Sequence, residues 1–430
     1  MYKTVIGLEV HCEIKTKSKC FSTAKNTFSN KPNENVVPID LGLPGILPVP
    51  NKEAARCAIK TALALNCNIP NELIFDRKNY FYPDLPKGYQ ITQVTKPVGK
   101  DGYLIIEVNG VEKKIDIHQL HLEEDTASLE HFSNYSLIDY NRSGIPLMEI
   151  VTEPCITSAD EAIAFLETLR SIFIYCDVSE ADSKKGQMRC DVNISLMKDT
   201  DTKLGTKVEM KNINSFSNVR ASIEYEIKRQ SKILDDGSKV IQETRRYDTE
   251  DSKTYTMREK VDAVDYKYFI EPNIPPVKLD KNFIEEIKNT IPELPKERKD
   301  KYITKYELSS YDSIILSKDK PVSDYFEELL SYGVKPKDAA NWVITSILGS
   351  VNKLEIDIRD FFITPKMLAD LIKLIDEDKI SLRQGQKTLY KAIEDKKEPI
   401  KLIEELEIEQ IDDKEKLRIL INESLDEFPD

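Results

Sequence analysis

The chain has only seven cysteines, an odd number, scattered as Cys12, Cys20, Cys57, Cys67, Cys155, Cys176 and Cys190 without a CxxC pair. That argues against a disulfide framework and a thiolate zinc site of ordinary spacing, and predicts reduced thiols in a cytoplasm-like compartment. No HExxH sequence and no GxxxxGK[ST] loop is present, so neither a zincin helix nor a Walker-type phosphate loop is encoded. No apolar run is long and charge-free enough to span a bilayer. The first residues, Met1-Tyr2-Lys3-Thr4-Val5-Ile6-Gly7, enter a strand pattern directly, without the basic-then-apolar order of an export signal. A cytoplasmic protein with no membrane segment is expected. Internal repeats and low-complexity tracts are also missing.

What is present is a chain of 430 residues with 40% apolar content and a net charge of −13. The length predicts two or three domains. The charge argues against a protein that simply coats nucleic acid, while leaving room for a local basic face.

Up to about residue 290 strand patterns mix with a few helices. Residues 4–14 alternate, with Ile6, Leu8, Val10, Cys12 and Ile14 on one face and Gly7, Glu9, His11 and Glu13 on the other. Asn51 is placed to cap a helix through Ala54, Ile59, Leu63 and Leu65, and Ser158 with Glu161 predicts a capping box. Alternation returns at Cys190-Asp191-Val192-Asn193-Ile194 and at Lys207-Val208-Glu209-Met210-Lys211, and helix resumes near Ser215. The run Glu271-Pro272-Asn273-Ile274-Pro275-Pro276, followed by Pro292 and Pro295, predicts an interdomain connection. Beyond it the pattern is helical, and from Leu402 onward dense in acid. The expected division is α+β first, all-α second.

Glu149 stands inside the apolar run Leu147-Met148-Glu149-Ile150-Val151. A carboxylate in a buried strand requires a metal, a cation or a shared proton. Arg142 is one candidate partner and a metal ion the other. Glu9 and His11 share a strand face, His121-Leu122-Glu123-Glu124-Asp125 clusters acid, and Asp191 projects from a polar face. Each alone is ordinary surface chemistry. Together, carboxylates and one imidazole suit a hard divalent ion, Mg²⁺ first and Mn²⁺ second. The segment from Asp76 to Gln90 combines Arg77, Lys78 and Lys87 with Tyr80, Phe81, Tyr82 and Tyr89. Those residues suit phosphate neutralisation and base stacking, although composition alone favours a packed loop whose aromatics fill core. Lys207, Glu209 and Lys211, with Glu243-Thr244-Arg245-Arg246, either bind phosphate or pair with one another.

In order along the chain, these words resemble the B subunit of the tRNA-dependent amidotransferases, the GatB/GatE family. The matching words are Gly7-Leu8-Glu9-Val10-His11, Leu41-Gly42-Leu43-Pro44-Gly45, Phe75-Asp76-Arg77-Lys78-Asn79-Tyr80-Phe81-Tyr82-Pro83-Asp84 and His121-Leu122-Glu123-Glu124-Asp125. They continue with Asn141-Arg142-Ser143-Gly144-Ile145-Pro146-Leu147-Met148-Glu149, Arg189-Cys190-Asp191-Val192-Asn193, Val208-Glu209-Met210-Lys211-Asn212, Asp265-Tyr266-Lys267-Tyr268-Phe269 and Ala339-Ala340-Asn341-Trp342.

The resemblance implies a ligase that uses ATP and Mg²⁺ to phosphorylate the side-chain carboxylate of Glu on tRNA(Gln), or of Asp on tRNA(Asn). Ammonia, released by the amidase (the A subunit) in a heterotrimer with the small C subunit, then gives the amide used in translation. It also implies a glutamine-synthetase-like catalytic cradle over residues 1–290, an all-α helical domain over 291–405, and a truncated tail over 406–430. By the same resemblance Glu9, His11, Glu124, Glu149 and Asp191 are metal positions. Glu9, Glu124, Glu149, Lys78 and Lys87 are then expected to be catalytic, and Arg142, Lys207, Glu209 and Lys211, from their own charge pattern, are expected to bind the nucleotide.

Three departures qualify this. Val37 and Asp40 stand where many relatives have a CxxC, so zinc is not expected. Thr126-Ala127-Ser128 replaces the usual Ala-Gly-Lys, removing a basic residue beside the site. The chain ends at Phe428-Pro429-Asp430, short of the usual tail, which predicts weakened tRNA docking. The last two motivate an alternative, a degenerate paralogue that binds without catalysing. A free-standing ligase acting on a small acid is a third reading.

Overall fold

A computed structural model of the chain describes residues 2–213, 215–259 and 265–405. The expected tail, residues 406–430, lies outside them. The protein is a mixed α/β molecule that divides into two compact units, one up to Leu294 and one from Pro295 onward.

The first unit is built on strands β1 (Tyr2–Glu13), β2 (Glu72–Asn79), β3 (Tyr89–Lys96), β4 (Gly99–Val108), β5 (Val111–Glu124), β6 (Ser128–His131) and β7 (Ser136–Asp139). They are followed by β8 (Pro146–Thr152), β9 (Met188–Lys198), β10 (Val208–Ile213), β11 (Glu243–Asp248), β12 (Lys253–Glu259), β13 (Phe269–Ile270) and β14 (Val277–Lys278). Eight of them form one sheet in the order β12-β11-β10-β9-β1-β8-β5-β4. Its pairs are antiparallel except β10 with β11.

The alternation expected for residues 4–14 is present in β1. Ile6, Leu8, Val10, Cys12 and Ile14 are buried in the main core, leaving Glu9 and His11 on the other face. Helices α1 (Lys52–Ala64), α2 (Ala159–Tyr175) and α3 (Phe216–Asp235) pack on this sheet, α1 and α2 beside β4 and α3 beside β9. Their starts follow from side-chain chemistry. Asn51 Oδ1 accepts from the amides of Glu53 and Ala54, at 2.9 and 3.1 Å, satisfying two of the donors a helix start leaves open. Ser158 Oγ accepts from Glu161 N at 3.2 Å, but the Glu161 carboxylate returns to Thr157 N at 2.7 Å and to Lys113, so the expected box closes one residue early.

The division between the units falls after Leu294, beside the expected Pro292 and Pro295, but the run from Glu271 to Pro276 is not a linker. It turns the chain between β13 and β14, which pair with the two ends of β2. Glu271 within it accepts from Arg77 Nε at 2.5 Å and Nη2 at 3.0 Å, and from Asn273 N at 2.8 Å. Prolines end regular structure here without separating domains. Helix α4 (Lys281–Lys288) follows inside the same unit.

The described part of the second unit is helical. It comprises α5 (Pro295–Thr304), α6 (Ser310–Lys318), α7 (Lys320–Ser331), α8 (Pro336–Asn341), a π-helical stretch Trp342–Ile347, α9 (Leu348–Leu354), α10 (Pro365–Asp376), α11 (Leu382–Asp395) and α12 (Pro399–Glu405). Prolines in the first turns of α7, α8 and α10 cost nothing there, because their missing amide would be unpaired anyway. Tyr302, Phe326, Val343, Leu368 and Leu371 are among its core residues. Among the described residues, no helix is long and apolar enough to cross a membrane.

Candidate active site

Glu149 sits at the middle of a row across three strands. In the β1–β8 pair it lies opposite His11, and in the β5–β8 pair opposite His121. His11 Nε2 is 3.3 Å and His121 Nε2 3.1 Å from Glu149 Oε2. Glu123, two residues further along β5, stands 3.9 Å from His11 and 3.5 Å from His121. The partner of Glu149 is therefore a pair of imidazoles, not Arg142. Burial disfavours charge on His121, but Glu149 and Glu123 outweigh it and raise its pKa to about 10. The same contest raises His11, where Glu149 overcomes burial. Burial alone would lift Glu149, yet His121 and His11 hold it well below the usual carboxylate range.

A second group adjoins the first on the same face. Glu9 lies opposite Asp191 in the β1–β9 pair, and Glu209 opposite Asn193 in the β9–β10 pair. Carboxylate oxygens of Glu9, Asp191 and Glu209 come within 4.8 Å of one another, as do ligand atoms of His11, Glu123 and Glu149. Lys211 Nζ is 2.7 Å from Asp191 and 3.1 Å from Glu209. Both carboxylates raise the Lys211 pKa against its burial. Asn193 Nδ2 donates to Glu9 at 2.8 Å, while its buried Oδ1 has no donor. An orphaned carbonyl oxygen beside three carboxylates fits a hard divalent cation, which takes oxygen ligands of this kind. Neither group contains a cysteine.

The residues expected to act together are thus split. Glu9, His11, Glu149 and Asp191 fall into the two groups, and Glu209 and Lys211 join the second. Glu124 joins neither. Its oxygens lie 2.6 Å from Lys87 Nζ, and one accepts from Ile91 N at 2.9 Å. The structure brings in Glu123 and His121 instead. A bulge in β5 accounts for this, because the register with β8 shifts between Ile117 and Gln119. The extra residue reverses the alternation, so Leu120 and Leu122 turn to the core while His121 and Glu123 turn to the site. Leu120 and Leu122 were the signal for it, since they break the parity of Ile115 and Ile117.

Arg142 Nε meets Asp125 Oδ2 at 2.6 Å, and Arg189 Nη2 reaches the same oxygen at 3.0 Å. Arg142 Nη2 is buried without an acceptor. Lys207 is exposed, just ahead of β10. Lys78, at the end of β2, rests 5.0 Å from the centre of the Tyr266 ring. Asp40 forms a buried pair with Lys19, at 3.5 Å, and accepts from Val37 N at 3.0 Å.

Residues 4–285 match the family described as the GatB/GatE catalytic domain, and residues 324–430 the one described as the GatB domain. The chain belongs to the GatB/GatE family. Both carboxylate groups fall within the stretch that matches the catalytic domain. The chain is 47% identical over 429 residues to the aspartyl/glutamyl-tRNA(Asn/Gln) amidotransferase B subunit of Persephonella marina, covering 100% of this chain and 90% of the relative. It is 46% identical over 427 residues to the protein of that name from Oceanobacillus iheyensis, covering 99% and 90%. The Geobacillus thermodenitrificans protein of that name is 46% identical over 429 residues, covering 100% and 90%.

Proposed function

We infer that this chain is the B subunit of a tRNA-dependent amidotransferase, a ligase that amidates Glu carried on tRNA(Gln) or Asp carried on tRNA(Asn). The observation that supports this best is the adjacent pair His11–Glu123–Glu149 and Glu9–Asp191–Glu209, inside the segment that matches the family's catalytic domain. Nothing in the site favours a degenerate paralogue that binds without catalysing.

The proposed reaction has two steps. A side-chain carboxylate oxygen of the aminoacyl-tRNA takes the terminal phosphoryl group of ATP, and ADP leaves. Ammonia then attacks the acyl carbon, the bond to phosphate oxygen breaks, and nitrogen sheds a proton. Magnesium held by the two groups would supply charge neutralisation for the triphosphate. His11, Glu123 and Glu149 would hold it at one group, and Glu9, Asp191 and Glu209 at the other. Lys211 holds the acids of the second group together until the nucleotide arrives, then turns its charge to phosphate. Lys78 faces the first group and offsets charge on the transferred phosphoryl. Lys87 holds Glu124 in place at 2.6 Å, and Glu124 is the acceptor for the ammonia proton in this scheme. Arg142, with one free donor, orients Asp125 and can receive an anion.

In this reading the first unit is the catalytic cradle, of glutamine-synthetase type, and the helical unit holds tRNA. An amidase and a small third protein complete a heterotrimer, and the work is done in the cytoplasm alongside translation. The test is reconstitution with those partners. Phosphate release from ATP should require mischarged tRNA; release driven by free glutamate or aspartate, or none at all, would overturn the reading.

A further inference from the structure

Three tyrosines stand beside the first carboxylate group without serving it. Tyr80 follows β2, and Tyr266 and Tyr268 precede β13. The rings of Tyr80 and Tyr266 are 5.9 Å apart at 66°, and those of Tyr266 and Tyr268 are 5.9 Å apart at 64°. Neither of these ring pairs stacks face to face. The turn that carries two of the tyrosines is fastened from outside. Asn79 N donates to Tyr266 O at 3.0 Å, Asn79 Nδ2 donates to Lys267 O at 2.8 Å, and Asp265 accepts from Lys267 N at 2.8 Å. Lys267 is forced to a φ of +45°, the left-handed region a side chain avoids unless its surroundings require it.

These rings do not fill core. Tyr268 is 44% exposed, and the neighbouring Phe81 is 95% exposed. The clamped turn thus holds the Tyr268 ring partly in water, with the half-buried rings of Tyr80 and Tyr266 beside it. Lys78 lies between the rings and the acids, 5.0 Å from the Tyr266 ring centre, 6.0 Å from that of Tyr80, and within the fields of Glu123 and Glu149.

We propose that Tyr80, Tyr266 and Tyr268 form the stacking platform for the terminal adenine of the aminoacyl-tRNA. The inference rests on the function proposed above and locates one end of its substrate. Single-stranded RNA ends are held by stacking on aromatic side chains with a cation nearby, which is the chemistry assembled here. The charges along the sheet assign the two substrates to opposite ends. The cation suited to a triphosphate, Lys211, stands on β10 by the second group, whereas the tyrosines and Lys78 stand at the Glu123–Glu149 end. The nucleotide enters beside β9 and β10, the aminoacyl end beside β2 and β13, and the carboxylate meets the phosphoryl group between them.

The test uses the assembled complex, with KM measured separately for mischarged tRNA and for ATP. Tyr266→Leu and Tyr268→Leu should each raise KM for the tRNA on the order of tenfold, with KM for ATP within about twofold of the parent. Tyr266→Phe, which keeps the ring, should behave as the parent, and thermal denaturation of each variant checks the fold. A rise confined to KM for ATP would assign the platform to the nucleotide base and overturn the proposal, as would leucine variants that change neither constant. Absence of tRNA-dependent turnover in the parent complex would instead defeat the function on which the proposal rests. In that case, equal affinity of parent and Tyr266→Leu for an acceptor-stem RNA would overturn the platform as well.

Discussion

Glu149 and His121 face each other across the β5–β8 pair, with His121 Nε2 3.1 Å from Glu149 Oε2. A carboxylate in an apolar strand is tolerated there because two imidazoles and a neighbouring acid form a closed polar group. Its compensation comes from strands far apart in the chain, and no local neighbour provides it.

If this group holds a divalent ion, Glu149→Gln should weaken Mn²⁺ binding by about 100-fold, the upper end for changes at and around ligands. An electron paramagnetic resonance titration of Mn²⁺ reads this directly. Unchanged affinity would remove Glu149 from the metal assignment. Chelation of the metal should abolish ATP-dependent turnover in the complex, and Mg²⁺ should restore it.

Lys87 and Glu124 form a largely enclosed ion pair at 2.6 Å. Removing one partner leaves the other charge buried, so Lys87→Met should cost about 3–5 kcal/mol in urea denaturation. Lys87→Met combined with Glu124→Leu should recover part of that loss, because no charge is then stranded. A single variant as stable as the parent would show that solvent already satisfies the pair.

Gly42 has a φ of +67°, and a Cβ there would stand 2.8 Å from the Pro86 carbonyl carbon and oxygen. The Leu41-Gly42-Leu43 turn is thereby pressed against the backbone that carries Lys87. Gly42→Ala adds a strained backbone and a clash, each of about 1–3 kcal/mol. It should lower stability and turnover together, and a variant with parental activity would exclude this turn from positioning Lys87.

Burial pushes the Glu271 pKa up, but hydrogen bonds from Arg77 and Asn273 outweigh it and leave it below its ordinary value of 4.5. A carboxyl depressed in the folded state adds stability above its unfolded-state value, and that contribution is lost as pH falls through the folded value. The parent should therefore lose stability below about pH 4.5 more steeply than Glu271→Gln, which carries no such proton site. Urea midpoints between neutral pH and about pH 3 check the slope; parallel curves would count against the pair.

Much of the site was legible from pattern. The alternation of residues 4–14 put Glu9 and His11 on one face, and the apolar surroundings of Glu149 marked it as needing a partner. Two local expectations failed for reasons of context. The aromatics after Lys78 fit a packed loop by composition, yet Phe81 is almost wholly exposed, because a loop's burial depends on what lies over it. The prolines near residue 272 fit a linker, yet β2 accepts both flanking strands.

By itself, the sequence determined which residues are acidic, which strand faces are polar, and the family to which the chain belongs. Register across strands decided the rest. Alternation is a local property, so β1 was readable, but a bulge is set by the partner strand and reverses every side chain beyond it. The single extra residue in β5 turns Glu123 toward Glu149 and sends Glu124 to Lys87, and pairing with β8 alone makes that choice.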